Sequence, residues 1–336
     1  CDRCKMEHWN DWYRRILIKD LRCGVTHKTI NKHSSMKVPV FECMLADDSK
    51  KHEKKMTGEV YVEPKLDGVR VVVICDVDKD EVKLFSRNGK ELSNFPEINR
   101  QFDDMLDQMS ESMVFDGEVM SDDFQTLMRE IHRKGGAKTK DAKLNLFDCM
   151  PLYNFMDGSC VDPITERKKW LEKYNYGPNI NLVEYVKMDL SDEDGQKQFA
   201  DYNKMCIDRG FEGIMVKPIG GIYECKRSSL WLKVKPFIEV SLKVVDTEEG
   251  TGRNVGKLGA LIVEGKDMDK FIKTNVGSGL TDADRETFWK AKDKLIGQIV
   301  EVRADAITQN QDTTNEWSLR FPRFLRFRGF EPGEKL

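Results

Sequence analysis

From residue 58 onward the chain alternates apolar and polar positions with the period of two that strands require, in short runs separated by turn residues. The pattern predicts strands over 59–63, 69–76 and 81–86, with turns at 77–80 and at Asn88-Gly89, a dipeptide suited to tight hairpins. Val71-Val72-Val73-Ile74 is apolar on both faces and reads as a buried strand. The period then lengthens, and Phe95, Ile98, Phe102 and Met105 share one helical face. Strands return at 113–120 and 144–149, with a basic helix (124–134) and a Gly-rich loop (135–140) between them. Helices are predicted at 163–174 and 193–209, the second stopped by Gly210. Strands at 213–216 and 230–235 follow, the latter closed by Pro236. Upstream, 9–33 is helical with a break at Gly24, and the polar stretch 44–57 reads as a loop. Beyond residue 240 the pattern is mostly β (240–245, 260–264, 271–276, 298–304 and 319–327), with one helix at 281–294. Five short strands with one inserted helix predict an OB-type barrel.

The fold class expected is therefore α+β, in three parts: a helical N-terminal segment (1–36), a domain of antiparallel sheets with flanking helices (37–238) and an OB-fold β-barrel (239–336). Phe237-Ile238-Glu239 sits where such a chain would swivel.

With 336 residues, 39% apolar and 34% charged, the composition is that of a soluble globular protein of about two domains. No apolar run approaches the ~20 residues a membrane span needs, and no signal-peptide pattern is visible, so an intracellular location and no membrane partner are expected. Nine cysteines, an odd number embedded mostly in apolar runs, predict reduced thiols. Cys1-x-x-Cys4 with His8 is half a zinc site with no second ligand pair. The net charge of −3 does not advertise nucleic-acid binding, but its distribution does. Residues 1–40 hold nine Lys/Arg against four Asp/Glu, and 317–330 hold Arg320, Arg323, Arg326 and Arg328 with no acid. The Gly-rich basic loop Gly250–Gly259 adds a candidate backbone-tracking element, or a plain hairpin loop.

The candidate chemistry centres on Glu63-Pro64-Lys65-Leu66-Asp67-Gly68-Val69-Arg70. Pro64 and the Asp67-Gly68 pair fix the backbone around Lys65, which reads as a covalent nucleophile; the plain alternative is a charged hairpin tip. Other charges lie on otherwise apolar strands: Asp116 and Glu118 two apart on one face, Glu212 and Lys217 at the ends of one strand, Lys233 and Lys235 on another, and Arg70 and Arg87 on the first hairpins. Inward-facing charges are costly unless they pair, bind metal or line a site, so their number points to a polar cleft. Clustered cations lower a neighbouring lysine's pKa and stabilise charge on a transferred phosphoryl group. Glu118 and Glu212 are suitable ligands for Mg²⁺. The set indicates attack on a nucleotide phosphate, and the chain has no dinucleotide Gly fingerprint, Walker A run or Gly-x-Ser-x-Gly elbow.

The ordered segments Lys65–Arg70, Ser86–Gly89, Asp116-Gly117-Glu118, Leu146-Phe147-Asp148, Glu212–Lys217, Trp231–Lys235 and Leu319–Phe324 resemble the motifs of ATP-dependent DNA ligases. These belong to the covalent nucleotidyltransferase superfamily, and the compact size is similar to viral or phage ligases. The resemblance runs from about Glu59 to Arg328 and makes 37–238 an adenylation domain. It implies that Lys65 attacks the α-phosphate of ATP, Glu63 reads the adenine edge and Phe147 stacks on the base. It makes Arg70 and Arg87 contacts to ribose and phosphate, or later to the nick's 5′-phosphate, and Glu118 a ribose or metal contact. Glu212 is then a metal ligand, and Lys217, Lys233 and Lys235 contact the α-phosphate, the last two with Lys65 as the catalytic set. Arg227 resembles a further phosphate contact. Arg326 and Arg328 are candidates to orient pyrophosphate, although Gly329-Phe330-Glu331 replaces the acidic pair and lysine that follow in larger cellular ligases. The N-terminal stretch from Trp12 to Lys32 is similar to the last helices of a ligase DNA-binding domain, either reduced or cut away. The implied cofactors are ATP and Mg²⁺, with Mn²⁺ as a substitute. The implied partner is nicked double-stranded DNA, bound by a monomer in a microbe or phage-infected host cell. An RNA ligase or mRNA-capping guanylyltransferase is the alternative within the superfamily, and a non-catalytic OB-type nucleic-acid binder the alternative outside it.

Overall fold

The computed structural model describes residues 6–17, 24, 27–35, 41–120, 142–309 and 317–330. The basic helix and Gly-rich loop predicted over 124–140, and Cys1 and Cys4 of the half zinc site, lie outside them. The chain divides into two compact units, Cys1–Phe199 with Met215–Leu232 and Ala200–Ile214 with Lys233–Leu336.

In the first unit, one five-stranded sheet has the order β1 (Leu45–Asp48), β12 (Arg227–Val234), β10 (Ile214–Pro218), β2 (Glu59–Pro64), β9 (Val186–Asp189). A second has the order β4 (Glu81–Ser86), β3 (Val69–Asp76), β5 (Met113–Met120), β6 (Lys143–Pro151), β8 (Ile180–Leu182). A small antiparallel ladder joins β7 (Ser159–Cys160) to β11 (Tyr223–Glu224). The unbroken valine run of β3 is explained by its two covered faces. Val71, Val73 and Cys75 pack on one side with Phe95 and with Ile98 and Phe102 of the helix Pro96–Asp103 that follows it. On the other side Val72 joins Val114, Met150, Tyr223 and Trp231, which closes the space between the two sheets. Each such large apolar side chain contributes roughly 1.5–3 kcal/mol on full burial.

The strands predicted at 69–76, 81–86 and 113–120 coincide with β3, β4 and β5. Gly89 has φ +76° and its N–H donates to Ser86 O (2.9 Å), the tight turn expected at Asn88-Gly89. The stretch 44–57 is not all loop. It contains β1, whose neighbour in the sheet order is β12 and whose four half-exposed residues carry no apolar alternation. The predicted N-terminal helix is interrupted: helical pieces span Met6–His8, Trp9–Tyr13 and Arg14–Leu17, then His27–His33, with Gly24 at φ +69°.

The second unit contains a seven-stranded sheet, not five strands. Its order is β17 (Ala306–Gln309), β18 (Trp317–Arg320), β15 (Lys270–Val276), β14 (Leu258–Asp267), β13 (Ile238–Glu249), β16 (Ile299–Ala304), β19 (Arg323–Gly329). The run predicted as one strand at 319–327 splits at Phe321, whose φ is +53°. The sheet curls until Arg323 bridges Ser278, just past β15, and Phe324 N–H donates to Ser278 O (2.8 Å). That single bridge brings β19 back to the sheet in the OB manner without a ladder that closes a barrel. Leu242, Val244, Leu261, Val263, Ile272, Val300 and Val302 fill its interior. The helix Asp282–Lys290 starts on a reciprocal Thr281/Asp284 capping box and ends at Ala291. Of the residues where a swivel was expected, Ile238 and Glu239 lie inside β13, laddered to Ala304 and Arg303, whereas Phe237, like Lys235 and Pro236 before it, belongs to no strand.

Six cysteines among the described residues (Cys43, Cys75, Cys149, Cys160, Cys206, Cys225) are free thiols, as their apolar settings predict. Among the described residues no helix is long and apolar enough to cross a membrane.

Candidate active site

β2 belongs to one sheet of the first unit and β3 to the other, so residues 65–68 carry the chain from sheet to sheet. Lys65 therefore stands at a crossover and not at a hairpin tip. Its Nζ donates to Leu66 O at 3.2 Å, and it lines a cavity of about 120 Å³ together with Glu63, Arg70, Glu118, Phe147 and Lys217. Gly68 is required at this crossover for close approach: a Cβ there would meet Val119 O at 2.2 Å and Glu118 Cγ at 3.0 Å. Its N–H also bonds the Glu118 carboxylate. Gly68→Ala is expected to destabilise by about 1–3 kcal/mol, as overpacked sites do, and to displace Lys65 and Glu118 together. Urea unfolding of the variant checks the first effect.

Phe147 reaches the cavity through a break in the ladder. Asp116 pairs with Asp148 and Gly117 with Leu146, which leaves Phe147 as the extra residue of a β-bulge. Residues before the bulge (Leu144, Leu146) and after it (Cys149) both face the outer core, so the bulge changes the parity of β6 and turns the ring inward. Trp231 packs edge-on to Phe147 at 5.7 Å.

At the inner wall, Glu63 is 2% exposed between two ammonium groups: Lys168 Nζ lies 2.5 Å from Oε1 and Lys217 Nζ 2.6 Å from Oε2. Glu63 Oε1 and Lys217 Nζ nevertheless lack a partner aligned for hydrogen bonding. Two buried polar atoms thus retain bonding capacity beside the aromatic face of Phe147, with Lys217 Nζ 4.9 Å from its centroid. Burial pushes the Lys217 ammonium down to about 8, against the opposing pull of Glu63 and with help from Lys168. Burial likewise pushes Glu118 up to about 7, although Arg70 and Lys65 oppose it.

Arg70 is engaged differently from the sequence expectation. Nε and Nη2 fork onto Asp116 (2.5 and 2.6 Å), and Nη2 also donates to Met44 O (3.2 Å). Tyr223 O–H donates to the same carboxylate at 2.6 Å. Asp116, fully buried, therefore anchors Arg70 under the rings of Phe147 (4.6 Å) and Trp231 (5.4 Å). The guanidinium is a wall of the cavity, with its bidentate face already occupied. Arg87 is exposed on the turn after β4 and does not line the cavity, and neither does exposed Arg227, which donates to Ala46 O.

Glu212, Lys233 and Lys235 belong to the second unit. Lys235 Nζ pairs with Glu212 (2.7 Å) and Asp305 (3.6 Å), and Arg320 approaches Glu212 at 3.6 Å. Glu212, expected as a metal ligand, is engaged by two cations. Arg326 and Arg328 both pair with Glu301 (2.6 and 3.4 Å), and Arg328 Nε is buried without a hydrogen bond. The expected pyrophosphate contacts are thus joined through one carboxylate. In the Gly-rich loop, Lys257 pairs with Glu286 and Arg253 is exposed.

The residues present fit a nucleotide: an aromatic face, a carboxylate and an ammonium with unfilled bonding directions, and an amine at the cavity wall. For a metal, no cluster of three or more His, Cys, Asp or Glu side chains occurs among the described residues. Glu118 is the cavity-lining carboxylate that would share a divalent cation with phosphate oxygens. Sequence reading missed Lys168, because a helical cation next to Lys169 carries no signal that it is buried.

The family model for the ATP dependent DNA ligase domain matches residues 43–235, more than half of the chain. This chain belongs to the ATP-dependent DNA ligase family. A second model, the DNA ligase OB-like domain, matches residues 249–328. The DNA ligase of Thermococcus fumicolans is 30% identical over 306 residues, covering 82% of this chain and 52% of that protein. The DNA ligase of Natronomonas pharaonis is 30% identical over 300 residues, with 81% and 52% covered. This ligase-family chain thus spans about half the length of the curated relatives it matches. Among solved structures, Pmar-Lig_PreS3 is 48% identical with a TM-score of 0.85, covering 97% of this chain and 77% of that one. A Lig E DNA ligase, 21% identical with a TM-score of 0.65, covers 85% of this chain and 99% of its own and shares the fold.

Proposed function

We propose that the chain is an ATP-dependent DNA ligase that seals nicks in double-stranded DNA. The observation that carries this reading is Lys65 at the sheet-to-sheet crossover, in one cavity with the Phe147 ring and the Glu63 carboxylate. Lys65 Nζ attacks the α-phosphorus of ATP: the N–P bond forms, the bond to the β-phosphate oxygen breaks, pyrophosphate leaves and the amine gives up a proton. The nick's 5′-phosphate oxygen then attacks the same phosphorus and releases Lys65. Finally the 3′-hydroxyl attacks the activated 5′-phosphate, and AMP departs. Phe147 stacks on the adenine, Glu63 accepts from its exocyclic amine, and Lys217 donates to the nucleotide. Lys233 and Lys235 are phosphate contacts in this reading, and Arg87 and Arg227, exposed as they are, suit the DNA backbone. Glu118 would hold a divalent cation, Mg²⁺ or Mn²⁺, which would supply charge neutralisation at the phosphate oxygens. The same reading makes the protein an intracellular monomer.

The test is incubation with α-labelled ATP and Mg²⁺ followed by denaturing electrophoresis, and then sealing of a nicked duplex. Covalent label and sealed product support the reading, whereas label from GTP alone moves it to the capping enzymes. The pH profile adds a second check. Glu118, raised to about 7, is deprotonated for cation binding only above that pH. Lys217, lowered to about 8, loses its charge above that value. The adenylation rate is therefore expected to rise through about pH 7 and fall above about pH 8. Glu118→Gln should flatten the acid limb and Lys217→Met the alkaline limb.

A further inference from the structure

We infer that Lys168, a residue in none of the ligase-like motifs, is a positioning residue that sets purine specificity by holding Glu63 as an acceptor. The inference rests on the proposed function, since it concerns the base that Glu63 reads. Lys168 lies on the helix Ile164–Glu172, whose flanking residues show two different fates. Arg167 is fully buried, Lys169 is exposed in a pair with Glu166, and Lys168 is 3% exposed with its ammonium turned inward. That ammonium lies 2.5 Å from Glu63 Oε1 and 4.7 Å from the centroid of the Tyr185 ring, so a carboxylate and an aromatic face both hold it. Burying a lysine this completely is costly unless it is paired, and Glu63 is the partner.

The chemistry of the base follows from this pairing. Held between Lys168 and Lys217, the Glu63 carboxylate has only acceptor oxygens to offer. An exocyclic 6-amino group donates to such an oxygen, whereas a 6-oxo group is repelled by it. Removing the Lys168 charge leaves a buried carboxylate with one ammonium where it had two. That carboxylate is freer to swing, since one of the two cations fixing its oxygens is gone, and swinging aside relieves its repulsion of a 6-oxo purine. Lys217 alone does not substitute for Lys168, because it is also the group that faces the nucleotide across Phe147 and Trp231.

The test uses the full chain and follows formation of the covalent nucleotidyl enzyme with three triphosphates: ATP, GTP and purine riboside triphosphate, which lacks the 6-amino group. The variants are Lys168→Gln, which keeps a donor and loses the charge, and Lys168→Arg, which restores the charge. Lys168→Gln is expected to raise KM for ATP by roughly 10- to 100-fold, the loss expected for a hydrogen bond to a charged group. Its rate at saturating ATP should fall far less, because Lys65 is untouched. The advantage of ATP over purine riboside triphosphate should shrink by about the same factor, reactivity with GTP should rise, and Lys168→Arg should recover most of the wild-type preference. A merely structural role would lower all three substrates together and leave their ratios unchanged, and that result overturns the inference. If Lys168→Gln does not fold, Lys168→Arg decides: a preference as strong as wild type sustains the inference, and a relaxed one with normal thermal stability overturns it. Failure of the wild-type chain to label with any nucleotide would instead overturn the proposed function, so the two failures are distinguishable.

Discussion

Lys65→Ala is expected to abolish covalent nucleotide transfer, with labelling by α-labelled ATP falling at least about 10⁴-fold, the scale on which removal of a nucleophile acts. Lys65 is the amine at the sheet crossover, with Glu118 and Arg70 on the same cavity wall. Loss of its side chain leaves the cavity without the atom that must bond to phosphorus. Lys65→Arg should be equally inactive, because a guanidinium keeps the positive charge but stays protonated and is a poor nucleophile. Charge alone is thereby separated from bond formation. Lys65 is half-buried and at the edge of the core, so both variants should keep the thermal stability of the parent. Sealing of a nick that already carries a 5′-adenylate should survive better than sealing from ATP, since that substrate bypasses the first transfer. Label retained at wild-type level in Lys65→Ala would transfer the role to another side chain and remove the basis of the reading.

The largest effect on stability is expected from Arg167→Met. Arg167 is fully buried; Nε and Nη2 fork onto Asp148 (2.7 and 3.0 Å), and Nη1 reaches Asp162 O and Gly221 O. One guanidinium thus ties its helix to β6, to the segment before the helix and to the turn after β10. Removing it leaves the Asp148 charge buried and unpaired, which costs about 3–5 kcal/mol. In a unit of this size that is on the order of a 10 °C fall in melting temperature, measurable by calorimetry or urea unfolding. A loss under about 1 kcal/mol would show that the pair is replaceable by water or by rearrangement. Burial by itself would raise the Asp148 pKa, but the charge and hydrogen bonds of Arg167 outweigh it and hold the carboxyl below its ordinary 3.8. A depressed folded-state pKa contributes stability that is present above about pH 4 and lost as the pH falls through the folded value. Asp148→Asn should therefore cost stability at neutral pH and flatten the decline of stability in acid. Because Asp148 follows Phe147 directly, the same variant also loosens the bulge that aims the ring.

The local elements were legible because their signals are local. The period of two in 81–86 arises from side chains pointing alternately to two faces, and the β-branched and apolar runs of 69–76 and 113–120 suit strands covered on both faces. The turn at Gly89 was legible because a left-handed backbone favours glycine. β1 was not, since the residues Leu45–Asp48 carry no apolar alternation and become a strand only by joining the sheet through β12. The split of β18 from β19 was not legible either, because Phe321 in a left-handed conformation has no local cause that residue types reveal.

The site divides along the same line. Lys65, Glu63, Glu118, Phe147 and Lys217 were named from the sequence, and the fold gathers them around one cavity. The partners of the cations were not legible: Arg70 is clamped by Asp116, Arg326 and Arg328 by Glu301, and Lys235 by Glu212. Such pairings join residues far apart in sequence, and no spacing rule encodes which carboxylate a given cation will meet. Lys168 and Lys169 are chemically identical neighbours, one sealed against Glu63 and the other in solvent.

By itself, then, the sequence determined the α+β elements, the order of the chemical motifs and the family to which they belong, because backbone periodicity and turn chemistry act over a few residues. Only the tertiary structure decided that Lys65 marks a passage between two sheets, that a bulge points Phe147 inward, and which charges neutralise one another. Those outcomes depend on distances between segments up to a hundred or more residues apart along the chain, and burial sets their strength only once the segments have met.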